Sequence, residues 1–314
     1  MNSIKKQFKE NQNLGTIVAL IILIVFVSVL NPAFLQVNNL LNLMRQLIIN
    51  GFIALGMTFV ILTGGIDLSV GSTLALTSAI FAGLLQGGMP TILAILIALG
   101  LGLVLGLVNG ILITKGKLAP FIVTLATMTI FRGLTLVYMD GRPIAGPKDD
   151  FAFQFLGKGQ FFGIPFQVIL FIIAYLILWI LLTKTSYGRK IYAVGGNEKA
   201  SFISGIKIDK VKILVYVISA LMAVLSGLVL TSRLNSAQPT AGSAYEMDAI
   251  AAVVLGGTSM TGGSGSLTGT LIGILILGVL NNGLNLLGVS SFYQQIVKGV
   301  VILIAVLIDR KRNK

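Results

Sequence analysis

The chain has no cysteine and no histidine, a single tryptophan, and only 11% Asp, Glu, Lys and Arg among its 314 residues. Without cysteine there are no disulfides, no thiol nucleophile and no thiolate metal site. Without histidine the commonest metal ligand and the neutral-pH proton shuttle are missing as well. The scarcity of charge sets the chain apart from soluble globular domains, where about a quarter of residues are charged. It contains no HExxH, no GxSxG and no Walker A lysine motif, so no catalytic residue, metal site or cofactor is assigned to this chain.

What the chain does have is apolar sequence: 55% of residues are hydrophobic and the mean hydropathy is +0.96. A bilayer core of ~30 Å takes about 20 helical residues to cross, and apolar runs of that order recur from end to end. The expected fold is an all-α polytopic membrane protein, one transmembrane domain over residues 1–314 with about ten transmembrane or re-entrant helices. The segments read as 15–30, 47–63, 70–86, 91–113, 118–138, 164–183, 213–231, 247–256, 267–287 and 293–308, the eighth too short to span alone. The first follows a basic start without a small-residue cleavage site, which reads as a retained signal anchor.

Net charge is +13, and its distribution points to membrane orientation rather than to nucleic acid. With the N-terminus in the cytoplasm, Lys5, Lys6, Lys9, Lys115, Lys117, Lys184, Arg189, Lys190, Lys199, Lys207, Lys210, Lys212, Arg310, Lys311, Arg312 and Lys314 fall inside, 16 of the 23 basic residues. The positive-inside bias thus puts both termini in the cytoplasm. Re-entrant hairpins remove segments in pairs and leave this parity unchanged. Two loops exceed 20 residues: an outer one at 139–163 and an inner one at 184–212. Loops of such length usually carry function or disorder, so both are candidates for partner contact.

Two glycine-rich interruptions resemble each other, TFVILTGGIDLSVGSTLALTS at 58–78 and AVVLGGTSMTGGSGSLTGTLIG at 252–273. In each, an apolar run meets Gly-Gly, passes through a short polar segment and resumes as apolar helix. Paired interrupted segments point to a transport pathway; ordinary interfacial turns are the other reading. Neither segment contains a lysine, which removes the phosphate-binding loop. Two further sets, Gly102, Gly106, Gly110 and Gly265, Gly269, Gly273, recur at every fourth position and read as flat strips for close helix packing. Ionisable groups within bilayer depth are few: Asp67, Arg132, Asp248 and Lys298, read as capping or snorkelling groups that form no relay. In the inner loop, Asn197 is placed to cap a short helix and Glu198 to sit in its first turn, an amphipathic run that a soluble motor can grip.

LTGGIDLSVGS (62–72), YGRKIYAVGGNEKASFISGI (187–206), SAQPTAG (236–242), EMDAIAAVVLGGTSMTGGSGS (246–266) and NNGLNLLGVSSFYQQIVKG (281–299) together closely resemble the permease subunit of bacterial ribose ABC importers. The likeness runs from about Asn31 to Lys311. It implies a homodimer in the bacterial plasma membrane, an ATP-binding cassette partner that binds ATP and Mg, and an extracytoplasmic sugar-binding protein. It also implies that Gly195, Gly196, Asn197, Glu198, Ala200, Ser201 and Gly205 form the segment docking on the motor. The importer pattern E-A-A-x-x-x-G is approximated only: Glu198 and Ala200 match, Ser201 replaces the second alanine and the glycine is displaced to Gly205.

The expected function is therefore ATP-driven import of ribose or a closely related monosaccharide. Arg142, Lys148 and Arg233 are candidates for docking the binding protein, by charge complementarity. Thr63, Gly64, Gly65, Asp67 and Ser69, with Gly256, Gly257, Thr258 and Ser259 opposite, are candidates for lining the pathway. A passive or ion-coupled sugar carrier fits the paired interruptions too, and a scaffold or receptor without transport is a third class. Because the chain is naturally cysteine-free, single cysteines at the nine pathway positions can be labelled from either side. Reactivity that changes with nucleotide state is expected, and inaccessibility in every state removes them from the route.

Overall fold

A computed structural model describes residues 14–312; Lys5, Lys6, Lys9 and Lys314 of the charge argument lie outside the described residues. The helices are α1 (Leu14–Leu30), α2 (Val37–Leu62), α3 (Val70–Gln86), α4 (Thr91–Thr114), α5 (Pro120–Met139), α6 (Phe151–Lys158), α7 (Phe166–Lys184), α8 (Ser186–Gly196), α9 (Glu198–Ile203), α10 (Ile208–Leu234), α11 (Tyr245–Leu255), α12 (Leu267–Leu286) and α13 (Ser291–Arg312). Two-residue strands pair as β1 (Ile144–Ala145) with β4 (Ser236–Ala237) and β2 (Gln160–Phe161) with β3 (Ile164–Pro165). The all-helical reading holds. Among the described residues six helices, α2, α4, α5, α7, α10 and α12, are long and apolar enough to cross a membrane, while α1 and α3 are apolar but shorter.

The centre of the bundle is α10, which packs on α2, α3 and α4. The apolar windows of α2 and α10 are 78% and 72% buried, against 33% for α4 and 28% for α5 and α7, so the latter three turn most of their surface outward. Large apolar side chains such as Ile92 and Leu96 on α4, Val137 on α5 and Ile177 on α7 are exposed, as a hydrocarbon environment requires. The strip on α4 explains how closely it meets the centre. A Cβ on Gly106 would stand 2.7 Å from Val217 Cα and 2.8 Å from the Tyr216 carbonyl, and one on Gly110 2.7 Å from Ile213 Cα. The second strip divides differently: Gly269 and Gly273 lie on α12 against the Gly256 and Ala252 carbonyls, whereas Gly265 precedes the helix and packs on Thr258.

Two features depart from the sequence reading. The second segment begins at Val37 rather than near 47. Its polar first turns, which hide the helix from a hydropathy reading, are partnered: Asn39 and Asn282 of α12 exchange amide hydrogen bonds of 2.9 and 3.0 Å. The 139–163 loop is not wholly irregular, since it contains α6, capped by Asp150, whose Oδ1 accepts from the Phe153 N–H at 2.9 Å. Phe153 is fully buried, and the Ser232 hydroxyl of α10 donates to its carbonyl. Thr91, at the start of α4, donates to Asp150 Oδ2; that bond first, and the Phe153 amide second, hold the Asp150 carboxyl below its usual range.

The contacts define two ends. At one, the α3–α4 turn meets α6 through Thr91 and Asp150, and β1 meets β4. At the other lie the two glycine interruptions, the α4–α5 turn, α8, α9 and the start of α10; Lys115 at that turn pairs with Asp209 of α10 at 2.7 Å, an exposed pair worth little by itself.

Enlarging Gly106 forces α4 off α10, and overpacking of this kind costs about 1–3 kcal/mol. Gly106→Val is therefore expected to lower the melting temperature of the detergent-solubilised chain. Gly100→Val, where nothing lies within 4 Å of an added Cβ, is the control and should melt near the wild type.

Candidate functional site

Both interruptions begin with the same backbone device. After α2, the Gly64 N–H donates to the Ile61 carbonyl (2.8 Å) and the Gly65 N–H to Val60 (3.1 Å); after α11, Gly257 donates to Val254 (2.8 Å) and Thr258 to Val253 (3.2 Å). This is the Schellman pairing, which satisfies the last carbonyls of a helix and requires a left-handed residue. Gly64 and Gly257 supply it, with φ of 76° and 83°. The sequence likeness of the two breaks is thus a repeated way of ending a helix. The breaks also meet, since the Gly263 N–H donates to the Leu62 carbonyl at 3.0 Å.

The 184–212 loop closes on that junction. Gly195 in the last turn of α8 packs so closely that any side chain there would strike the Leu62 carbonyl and the Gly263 nitrogen. From α8 the Tyr192 hydroxyl donates to the Gly265 carbonyl at 2.9 Å. Thr63, Gly64 and Gly65 share a polar cavity of about 340 Å³ with Gly195, Gly196, Asn197, Glu198 and Thr261. Gly256, Gly257, Thr258 and Ser259 do not line it. Gly256 packs on the Gly269 carbonyl, and Thr258 and Ser259 are buried in the second break.

Asp67 and Ser69 point away from that cavity, into the bundle. Asp67 Oδ1 accepts from the Ser69 N–H (3.0 Å) and hydroxyl (2.7 Å), and Oδ2 from the Ser219 hydroxyl of α10 (2.9 Å). Asn109 of α4 donates to the Ser69 hydroxyl at 2.8 Å. Asp67 is 1% exposed and forms no ion pair among the described residues, so its oxygens depend on these donors. A helix-capping role does not describe it; it joins the first break to α4 and α10 at once.

Beyond Gly196 the short helix α9 forms as its residues dictate. Asn197 Oδ1 accepts from the Ala200 N–H at 2.9 Å and Glu198 occupies the first turn. Glu198 also pairs with Lys212 at the start of α10, 2.7 Å away. Ala200 and Gly205 are exposed and Ser201 is buried. Phe202 and Ile203, the large apolar residues of the amphipathic run 200–206, are 71% and 85% exposed. Two large apolar side chains on a polar, basic loop are the signal that was available.

Toward the other end Arg142 and Lys148 are exposed, but Arg233 is half-buried and donates to the Arg45 carbonyl. Three groups read as capping or snorkelling are placed otherwise. Arg132 donates to the Pro239 and Ala241 carbonyls at 2.7 and 2.8 Å, pinning the segment before α11. Asp248 on α11 pairs with Lys298 on α13 at 2.9 Å, with side chains 13% and 28% exposed. Asn50 of α2 adds a bond to Asp248 at 3.1 Å.

A lipid-facing helical bundle around one central helix, with a half-length helix α11 and two interruptions gathered under a helical loop, is the architecture of a membrane permease. The chain belongs to the permease family described as the branched-chain amino acid transport system / permease component, whose model matches residues 39–306. Among similar proteins, the ribose import permease protein of Bacillus subtilis is 65% identical over 96% of this chain and 94% of its own length. That of Haemophilus influenzae is 53% identical over 93% and 91%, and the D-allose transport system permease protein of Escherichia coli 42% identical over 96% and 92%. No solved structure matches the chain.

Replacing Asp67 tests its role as the joint. Asp67→Ala strands three donors in the core, each unmatched group costing about 1–3 kcal/mol, so the purified chain is expected to lose much of its thermal stability. Asp67→Asn keeps one acceptor oxygen and should fall in between; a wild-type melting curve for Asp67→Ala would remove this role.

Proposed function

We propose that this chain is the membrane-spanning subunit of an ATP-driven importer for ribose or a closely related monosaccharide. The geometric observation that carries the reading is Gly195, wedged between the two helix interruptions at one end of a loop whose other end exposes Phe202 and Ile203. A partner gripping α9 moves α8 and thereby both breaks. It also moves α10, through the Glu198 and Lys212 pair. The chain holds no nucleotide-binding motif, so the work of ATP and Mg falls to a separate ATP-binding subunit, with Gly195, Gly196, Asn197, Glu198, Ala200, Ser201 and Gly205 as the coupling segment. The names of the ribose permeases of Bacillus subtilis and Haemophilus influenzae support the sugar; the allose permease marks how narrow the distinction is.

The end bearing the breaks is the cytoplasmic one in this reading, with both termini on that side. Among the described residues it carries Lys115, Lys117, Lys184, Arg189, Lys190, Lys199, Lys207, Lys210 and Lys212, in keeping with the positive-inside rule. Thr63, Gly64 and Gly65, together with the Gly256–Ser259 turn, then form the inner gate of the route. Arg142 and Lys148 face outward as docking charges for an extracytoplasmic sugar-binding protein. The working unit is a homodimer of this chain with two motor domains.

Reconstitution in liposomes tests the whole reading. Uptake of radiolabelled ribose is expected only when the ATP-binding subunit, the loaded binding protein and ATP are all present. Uptake by this chain alone would establish a passive or ion-coupled carrier instead.

A further inference from the structure

A second cavity lies away from the glycine breaks, between α2, α10, α11, α12 and α13, with a volume of about 410 Å³. This is inside the ~300–1,000 Å³ range of small-molecule sites. Asn50 stands 12 residues before Leu62 on α2, about 18 Å along the helix from the junction of the breaks, so the cavity is well removed from that junction. The half-length helix α11 starts at its wall with Tyr245 and carries Asp248 in its first turn.

Polar groups converge here in a pattern the packing does not use up. Asn50 Nδ2 and Lys298 Nζ both donate to Asp248 Oδ2. Oδ1 of Asn50 and Oδ1 of Asn281 are buried and accept no hydrogen bond from any described residue. Buried acceptors left open are rare and call for a ligand or water. Ionisable groups at membrane depth are expensive and mark passage routes by default. Arg233 and Tyr245 complete the polar wall. The two amide oxygens are covered in this structure; on rotation of the side chains toward the cavity they accept from sugar hydroxyls, and Lys298, Arg233 and the Tyr245 hydroxyl are donors for hydroxyl and ring oxygens. The tyrosine ring offers an apolar face to sugar C–H groups.

We propose that this cavity is a way station for the sugar, with Asn50, Asn281 and Asp248 exchanging hydrogen bonds with its hydroxyls between the outer docking surface and the inner gate. The site rests on the importer reading above. It places substrate contact on residues that the paired glycine breaks do not include, and leaves the breaks a gating role. Modest affinity follows from the construction: Asp248 is already satisfied by Asn50 and Lys298, so the sugar competes for it rather than completing it.

The test uses the full complex in liposomes, measuring ribose uptake and ATP hydrolysis side by side. Asn281 is chosen because no described hydrogen bond involves its side-chain oxygen, so a merely structural role predicts little from its loss. Asn281→Leu is expected to cut uptake about tenfold, the worth of one net hydrogen bond, while ATP hydrolysis stimulated by loaded binding protein stays near wild type. Asn281→Gln should recover part of the uptake. Unchanged uptake in both Asn281→Leu and Asn50→Leu overturns the site, as does a loss of uptake matched by an equal loss of hydrolysis. A wild-type complex showing no ATP-dependent ribose uptake overturns the importer reading itself, a result distinct from either.

Discussion

One buried carboxyl group organises the interior. Asp67 has no counter-ion among the described residues and is held by a backbone N–H and two serine hydroxyls. In a bundle whose outer helices face hydrocarbon, packing between helices gains little from hydrophobicity, because lipid is as apolar as leucine. Register must then come from close backbone contact and from the few polar groups that can be satisfied in only one arrangement. Asp67, Ser69, Ser219 and Asn109 do this for α3, α4 and α10. The Gly106 and Gly110 contacts of α4 with α10 are possible only in that register.

From this joint the long helix α10 runs unbroken over 27 residues, about 40 Å at the helical rise. Lys212 near its beginning meets Glu198 of α9, Ser219 meets Asp67, Ser226 donates to the Ile49 carbonyl of α2 at 2.7 Å, and Arg233 near its end lines the cavity of about 410 Å³. A single rigid element thus touches the exposed loop, the break and the polar cavity in turn. Packed rigid elements of this kind are one physical route by which distant sites can be coupled. The hydrogen bond from Gly263 to Leu62 adds a second connection, directly between the two breaks.

Much of this was legible in the sequence where local chemistry decides. The GG pairs announced two helix ends, Asn197 announced a cap, and apolar runs gave the helices within a few residues. What escaped was long-range pairing. Asn50 and Asp248 are 198 positions apart, and Asn39 and Asn282 are 243, so nothing in either neighbourhood marks one as the other's partner. The same reason hid the first turns of α2, which look too polar to be membrane helix until α12 supplies the matching amide. Within 139–163 the helix α6 was concealed by its setting between prolines, glycines and charges, although FAFQFL carries the apolar side chains that bury it. The polar cavity escaped for a related reason: glycine breaks are conspicuous, whereas a cavity lined by one or two polar side chains from each of several helices leaves no motif.

Phe202 and Ile203 have a consequence before any transport takes place. In the proposed orientation, a copy of this chain without its partner shows the cytoplasm two bare apolar side chains on a short helix, a surface that promotes association. Covering them with a motor subunit removes that liability. In the proposed assembly the survival of each permease copy is thereby tied to the supply of its partner, and the cell's stock of complete transporters is set by whichever chain is made in smaller amount.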